Sequence, residues 1–479
     1  MTMAADTPPA LYAAREPVFP KAVKGTFRRL KWAIMVVTLA VYYITPWIRW
    51  DRGPYLPDQA VLVDLANRRF YFFWIEIWPQ EFYYIAGLLI MAGVGLFLFT
   101  SVLGRVWCGY TCPQTVWVDL YQHVERWIDG DRNAQFRLLK SRWTLNKIAR
   151  RAAKWSVWLV IALATGGAWV FYFADAPTLL VDLATGYAAP IAYTTVGILT
   201  ATTFILGGFM REQVCIYMCP WPRIQSAMLD ENSLTVTYKD WRGEPRGKHR
   251  KAAAAAGLGD CIDCNACVAV CPTGVDIREG QQMGCITCAL CIDACDDTMA
   301  KIGKPRGLID YFSLADENLE RAGKPSLPAW RRAIRPRTIL YTGLWAAIGL
   351  AMLVTLFMRD SIDLTVRPSR NPVFVTLSDG TIRNSYEIRV RNMNGEPHAF
   401  RLSYLTQEGF FTLTIQGEDG HIFEVPADET AKLRVFLDAA TWAARGERVD
   451  IRLWVENLET RERSYYDTHF QGPPQWNVP

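Results

Sequence analysis

Five stretches of this 479-residue chain stay apolar for as long as a helix needs to cross the hydrocarbon core of a bilayer: Leu30–Ile48, Phe82–Leu103, Trp155–Phe173, Ile191–Phe209 and Thr338–Phe357. Core helices of a water-soluble domain seldom run so long so often. Trp47, Trp50, Trp74, Trp78, Trp107 and Trp155 flank these runs, as interfacial anchors do. The expected fold is an integral membrane α-helical protein with four spans in residues 30–209 and a fifth at 338–357. Hydrophobic residues make up 51% and charged residues 21%, so greasy segments alternate with water-soluble ones. The first run starts late and has no small-x-small site after it, which argues against a cleaved signal peptide.

Basic residues set the expected orientation. Arg15, Lys21, Lys24, Arg28, Arg29 and Lys31 cluster at the first span. The segments 104–154 and 210–337 are rich in Lys and Arg, whereas 174–190 has none and 49–81 balances its four arginines with five carboxylates. Residues 1–29 are therefore expected in the cytoplasm and 358–479 outside. The net charge of +5 is a topology signal, and nothing calls for nucleic acid. All twelve cysteines fall in or at the mouth of the segments assigned to the cytoplasm, where thiolates persist.

Eight of them form one stretch, Cys261-x2-Cys264-x2-Cys267-x3-Cys271-Pro272 followed by Cys285-x2-Cys288-x2-Cys291-x3-Cys295. The two-two-three spacing is that of bacterial ferredoxins, whose thiolates wrap a cubane iron–sulfur cluster. A zinc ribbon would supply two pairs with a longer gap, and disulfides are disfavoured in a reducing compartment. The doubled run predicts two [4Fe–4S] clusters, in a domain of about 255–300 made almost entirely of loop and turn. The second run departs from the pattern, ending Cys295-Asp296 instead of Cys-Pro.

The other four cysteines lie in Cys108-Gly-Tyr-Thr-Cys112-Pro113 and Cys215-Ile-Tyr-Met-Cys219-Pro220, which close the second and fourth spans. The shared Cys-x-Tyr-x-Cys-Pro motif reads as an internal repeat of a two-span hairpin, with four thiols converging at the inner membrane face. If helix continues through each motif, cysteines at i and i+4 share a face. The proline suits the first turn of a new helix, which places Cys112 and Cys219 near a helix start, where the dipole favours a thiolate. Soft thiolates select cuprous copper or iron–sulfur clusters. Met210, Met218 and Met228 are further soft-ligand candidates, Met218 best placed because it lies inside the motif. Asp119 and His123 could share a helix face and bind metal. The apolar stripe of Thr115–Trp127 is expected to pack on the membrane surface or the ferredoxin insert.

The tail alternates in short runs: Phe374–Leu377, Tyr386–Val390, Phe400–Tyr404, Phe411–Ile415, Lys432–Phe436 and Val449–Val455. Asp379-Gly380, Asn394-Gly395 and Asp419-Gly420 punctuate them. About seven strands predict a cysteine-free all-β sandwich of immunoglobulin-like type. The five histidines all lie outside the spans, so paired-histidine haem in the bilayer is excluded. No Cys-x-x-Cys-His and no nucleotide-binding glycine loop occur. With every expected redox centre on one side of a core about 30 Å thick, an internal transmembrane wire is not expected.

The segments Trp107–Trp117 and Cys215–Gln225, taken with the doubled ferredoxin run, resemble the CcoG family, also called FixG or RdxA, over nearly the whole chain. The resemblance implies a bacterial inner-membrane accessory protein for cbb3-type cytochrome c oxidase, reducing cupric to cuprous copper for the oxidase's copper site. It implies that Cys261, Cys264 and Cys267 hold one [4Fe–4S] cluster with Cys295, and that Cys285, Cys288 and Cys291 hold the other with Cys271. Cys108, Cys112, Cys215 and Cys219 would be the copper-handling group, with copper as the substrate ion and electrons coming from a cytoplasmic donor. Implied partners are membrane lipid, the oxidase assembly machinery and copper chaperones or transporters, and a homo-oligomer is compatible. Two alternatives stay open: a relay of quinol electrons to an external reductase, as in NapH- and NosR-like polyferredoxins, and a copper carrier that binds without turnover. The quartet itself could hold copper or a further cluster.

Overall fold

The computed structural model describes residues 17–248, 257–326, 328–359, 362–406, 410–440 and 448–473. The alanine run Ala252–Ala256, whose composition predicts a short helical spacer into the cluster fold, lies outside them. Among the described residues five helices are long and apolar enough to cross a membrane: Thr26–Trp47, Pro79–Leu103, Leu145–Val170, Pro190–Met210 and Pro336–Phe357, numbered here spans 1 to 5. Span 3 starts ten residues before the apolar stretch that marks it. Thr144 caps it by accepting from the Lys147 amide at 3.3 Å, and this first part is a charged face that hydropathy does not see.

The chain divides into two units, residues 1–48 with 59–352, and residues 49–58 with 353–479. In the first, the spans are knitted by polar side chains. Thr165 of span 3 takes hydrogen bonds from Tyr42 (2.7 Å, to its carbonyl) and from Trp117 (2.9 Å, to its hydroxyl). The helix Pro113–Asp129 packs on span 3, with Tyr121 stacked on Trp158 at 5.3 Å and 9°. Its stripe therefore faces protein instead of the membrane surface or the insert. Span 4 loosens into a wide π turn over Phe204–Met210, where Gly207 and Gly208 let Tyr121 and Trp158 approach; an added Cβ would stand 3.2 and 2.9 Å from those rings. Trp47, Trp74, Trp107 and Trp155 are exposed as anchors should be, but Trp78 is buried at 4%, with Arg69 4.0 Å over its ring.

Between spans 1 and 2 a small antiparallel sheet of β1 (Val61–Asp64), β2 (Arg69–Phe72) and β3 (Ile75–Ile77) forms, which the sequence reading did not foresee. Two further unforeseen strands, β4 (Thr235–Tyr238) and β5 (Ile309–Phe312), pair antiparallel and clamp the two ends of the cysteine-rich insert. The insert is also less loop-like than expected. Ala266–Val270, which carries Cys267 and ends just before Cys271, and Leu290–Lys301, which carries Cys291 and Cys295, are helices. Asp293 on the second of these accepts from the backbone amides of Phe27 (3.2 Å) and Arg28 (2.8 Å), capping span 1 from outside. Residues 17–25 are strapped down too, for the Lys21 amide donates to the Ala269 carbonyl at 2.8 Å. The Pro/Ala-rich sequence from Met1 to about Val23 predicts a loose segment, which these contacts correct for residues 17–23.

The second unit holds a two-sheet sandwich with nine strands among the described residues, where about seven were expected. One sheet runs β10 (Phe411–Ile415), β12 (Thr430–Ala439), β8 (Ile382–Asn392), β6 (Ile362–Pro368), with short β7 (Val375–Thr376) also on β8. The other runs β11 (Ile422–Val425), β9 (His398–Leu405), β13 (Arg448–Asn457), β14 (Arg463–Gln471). Alternating side chains close its core around Ile388, Val390, Phe400, Leu402, Leu453 and Phe470.

Candidate metal centre

Each half of the insert repeats one backbone device. Asp263 and Asn265 flank Cys264 with φ of 53° and 55°, and Thr287 and Ala289 flank Cys288 with φ of 57° and 62°. Non-glycine residues enter this left-handed region rarely and at a cost, and a pair on either side of a cysteine turns successive backbone amides inward, as anion-binding loops require. The structure brings Cys261, Cys264 and Cys267 around Cys295, from the far end of the stretch. It brings Cys271 to Cys285, Cys288 and Cys291, around a small cavity closed by Val236, Ile277 and Ile286. Burial pushes the Cys267 thiol up to about 11 and those of Cys288 and Cys295 to about 12. A thiol that resists ionising in protein alone is ionised by the metal it binds.

The two Cys-x-Tyr-x-Cys-Pro motifs fold alike, though helix does not run through them. In the first, a helix over Val106–Tyr110 ends as the Cys112 amide bonds the Trp107 carbonyl at 2.9 Å. In the second, a π turn over Val214–Met218 ends as the Cys219 amide bonds the Val214 carbonyl at 2.8 Å. The following proline holds each final cysteine extended (ψ 128° and 122°). Cys112 caps the helix Pro113–Asp129, whereas it is Pro220 that stands before the helix Trp221–Met228.

The four thiols converge. Cys108, buried at 8%, feels the charges of Cys112, Cys215 and Cys219, and burial pushes its thiol to about 12, against the pull of Arg105. Cys215 is pushed to about 11 in the same way, beside Cys112 and Cys219. The quartet touches the insert. A Cβ on Gly109 would stand 2.7 Å from the Ile286 carbonyl oxygen and 3.0 Å from Cys288 Cα, so glycine is required where the motif meets the second cysteine run. The Cys108 thiol donates to Gln225 Oε1 at 2.9 Å, and the Tyr110 hydroxyl to the Cys288 carbonyl at 3.2 Å. On the other side, Cys215 lines a narrow cavity with Pro272, Thr273 and Ile286 of the insert. Among the described residues, no three His, Cys, Asp or Glu are set to hold one metal ion. Bonds of about 2.3 Å to a single ion would draw thiolates to within about 4 Å of one another, whereas a cube takes each thiolate on a different iron.

Residues 210–314 match a family described as a 4Fe–4S dicluster domain, residues 85–133 a 4Fe–4S binding domain, and residues 352–473 the Ig-like fold at the C-terminus of FixG. Protein RdxB of Cereibacter sphaeroides is 62% identical over 97% of this chain and 98% of its own length. Protein RdxA of the same organism is 60% identical over 93% and 95%, and the nitrogen fixation protein FixG of Rhizobium meliloti 53% identical over 97% and 94%. The chain belongs to the FixG/RdxA family. It is a membrane iron–sulfur electron-transfer protein.

Within this FixG/RdxA-family fold the lesser candidates separate. Asp119 is buried and taken by Arg28 Nη1 at 2.8 Å, while His123 lies exposed, edge-on to Trp32. They form no metal pair. Met218 is 54% exposed, and Met228 is buried. Sequence reasoning missed Gly109, Gln225 and Arg105, although the first lies inside the motif and its lack of a side chain was visible there.

Proposed function

We propose that this protein passes electrons from a cytoplasmic donor through the two cysteine sites of the insert to the Cys108/Cys112/Cys215/Cys219 quartet, where cupric copper is reduced for maturation of cbb3-type cytochrome c oxidase. The observation that carries this reading is the contact at Gly109, which sets the quartet directly against the Cys288 loop. When bound, the [4Fe–4S] clusters supply one-electron chemistry, one electron for each cupric ion converted to cuprous. The chain's own residues do the rest. Cys261, Cys264, Cys267 and Cys295 hold one cluster, and Cys271, Cys285, Cys288 and Cys291 the other. The quartet's soft thiols favour the cuprous product, and the lack of a closed single-ion cage suits a substrate that must leave. Lys- and Arg-rich segments on the insert side support a cytoplasmic insert and an external sandwich; in an inner membrane that sandwich would be the part to meet the oxidase assembly machinery or copper transporters.

The test is iron, sulfide and copper quantitation with a cupric-reduction assay on anaerobically purified protein. Cys108→Ser, Cys219→Ser and the quadruple serine variant are expected to keep the insert's iron and lose cupric reduction. Normal reduction in the quadruple variant overturns the assignment. Loss of one cube's worth of iron in that variant would instead place a further cluster in the quartet. Cuprous binding without turnover would make the protein a carrier, and oxidation of quinol by the protein a relay.

A further inference from the structure

Arg105 is the third residue before Cys108 and caps the short helix that carries it. Gly104, at φ +65°, turns the chain just before it, and a Cβ there would stand 2.0 Å from the Leu234 carbonyl oxygen, so the turn is locked from outside. The side chain that follows is only 5% exposed. Its Nη1 donates to the Met283 carbonyl at 2.8 Å, which pins the guanidinium to the connector two residues before Cys285. Met283 is itself held, its sulfur accepting from the Ser226 hydroxyl at 3.2 Å. The other two edges of the fork, Nε and Nη2, are buried and have no hydrogen-bond partner among the described residues.

A buried guanidinium with two unmade hydrogen bonds is costly unless something anionic completes it. Among the described residues Arg105 has no carboxylate partner. The groups its charge acts on are thiols, Cys108 and Cys215 of the quartet and Cys285 of the insert, which become anionic only when they hold metal. No thiol among the described residues accepts from Nε or Nη2, which leaves both donors open to the sulfur of a group that those cysteines would hold.

We propose that Arg105 is a shared positioning residue, whose buried fork stands between the quartet and the Cys271/Cys285/Cys288/Cys291 site and donates Nε–H and Nη2–H to their metal-bound sulfur, raising the reduction potential on both sides of the electron's last step. The proposal rests on the reading that electrons pass between these two sites. Hydrogen bonds to cluster sulfurs and local net charge are what tune such potentials, and a reduced site carries one more negative charge for the guanidinium to stabilise. Among the described residues the Cys261/Cys264/Cys267/Cys295 site has no such contact with Arg105, so the pull is selective and runs from that site toward the Cys271/Cys285/Cys288/Cys291 site.

The test is an anaerobic redox titration followed by electron paramagnetic resonance on the full-length, cluster-loaded protein, with iron per chain as a control. Signals are assigned by which one disappears in Cys264→Ser. Arg105→Gln, which removes the charge, is expected to shift reduction of the Cys271/Cys285/Cys288/Cys291 site about tenfold toward the oxidised form, about 59 mV lower for a one-electron couple. Arg105→Lys, which keeps the charge and loses the fork, is expected to shift it about threefold. The other site should stay where it is in both variants. No shift, or an equal shift at both sites, overturns the proposal. Should Arg105→Gln fail to retain iron, Arg105→Lys alone decides by the same criterion. A wild type that keeps its clusters but reduces no cupric ion would sink the copper reading and leave this measurement standing.

Discussion

Gly109 shows how much one hydrogen atom can decide. It occupies the position after Cys108, where the membrane-end motif and the Cys285–Cys291 loop come so close that no side chain fits between them. The nearest atoms are backbone, which cannot swing aside as the end of a lysine could. Gly109→Ala must push the Ile286–Cys288 loop away, and small-to-large changes in packed sites cost about 1–3 kcal/mol. Because that loop follows Cys285 and ends on Cys288, the strain falls on the candidate metal site. We expect the variant to retain less iron, and to lose first the signal that Cys264→Ser leaves intact; a full complement of iron at an unchanged melting temperature would show that the loop yields freely. The left-handed residues beside Cys264 and Cys288 make the same point in reverse. Thr287 and Ala289 accept an unfavourable backbone so that amides face inward, a cost that propensity alone would have argued against.

At the scale of elements, the helix Pro113–Asp129 is the hub. It starts at a quartet cysteine, stacks on span 3, and carries three buried carboxylates, of which Asp129 takes Lys154 at 2.6 Å and Asp119 and Glu125 tie the helix to further elements. Asp119 meets Arg28 of span 1, while Glu125 meets Arg211 after span 4 at 2.9 Å and Lys154 of span 3 at 3.0 Å. Burial alone would raise both carboxylates. The charges of Lys31 and Arg28 outweigh it at Asp119, and those of Arg211 and Lys154 at Glu125, so both sit below their ordinary values of 3.8 and 4.5. A depressed folded-state value contributes stability above the unfolded value and loses it as pH falls through the folded one. The melting temperature should therefore hold steady with respect to these two groups from pH 7 to 5 and fall below about pH 4. Glu125→Gln, which takes the carboxylate from buried Arg211 while Lys154 keeps Asp129 at 2.6 Å, is expected to cost about 3–5 kcal/mol at pH 7 and to flatten the acid limb; a variant as stable as the wild type with an unchanged limb would count against the network. None of this was legible in sequence, because ion pairs between residues 29, 86 and 91 apart leave no periodic trace. The spans themselves were legible, since bilayer thickness dictates their length. Their starts were not: span 3 begins at the Thr144 cap, in a basic stretch that hydropathy scores as loop. The cysteine runs announced their chemistry by spacing alone, yet β4 and β5, which hold the insert's two ends together, are four residues each and fall below what alternation can reveal.

For the molecule as a whole, the division of cysteine matters most. All twelve lie in the first unit and none in the sandwich, whose core is built from strands alone. In the insert, by contrast, Cys261, Cys267 and Cys295 are core residues, packed with Val236, Ile277, Ile292, Met299 and Ile309. Domains that enclose metal commonly draw folding free energy from it, and a core this small has few apolar side chains to replace what the metal supplies. Removing iron should therefore unfold the insert and uncover its docking on span 1 through Asp293, while the sandwich keeps its own transition. Calorimetry of loaded and iron-stripped protein is expected to show two transitions, only one of which moves, with proteolysis after stripping confined to residues within about 210–314. A sandwich transition that falls together with the insert's would mean that the two units share one cooperative fold, and that the sandwich strands depend on the metal after all.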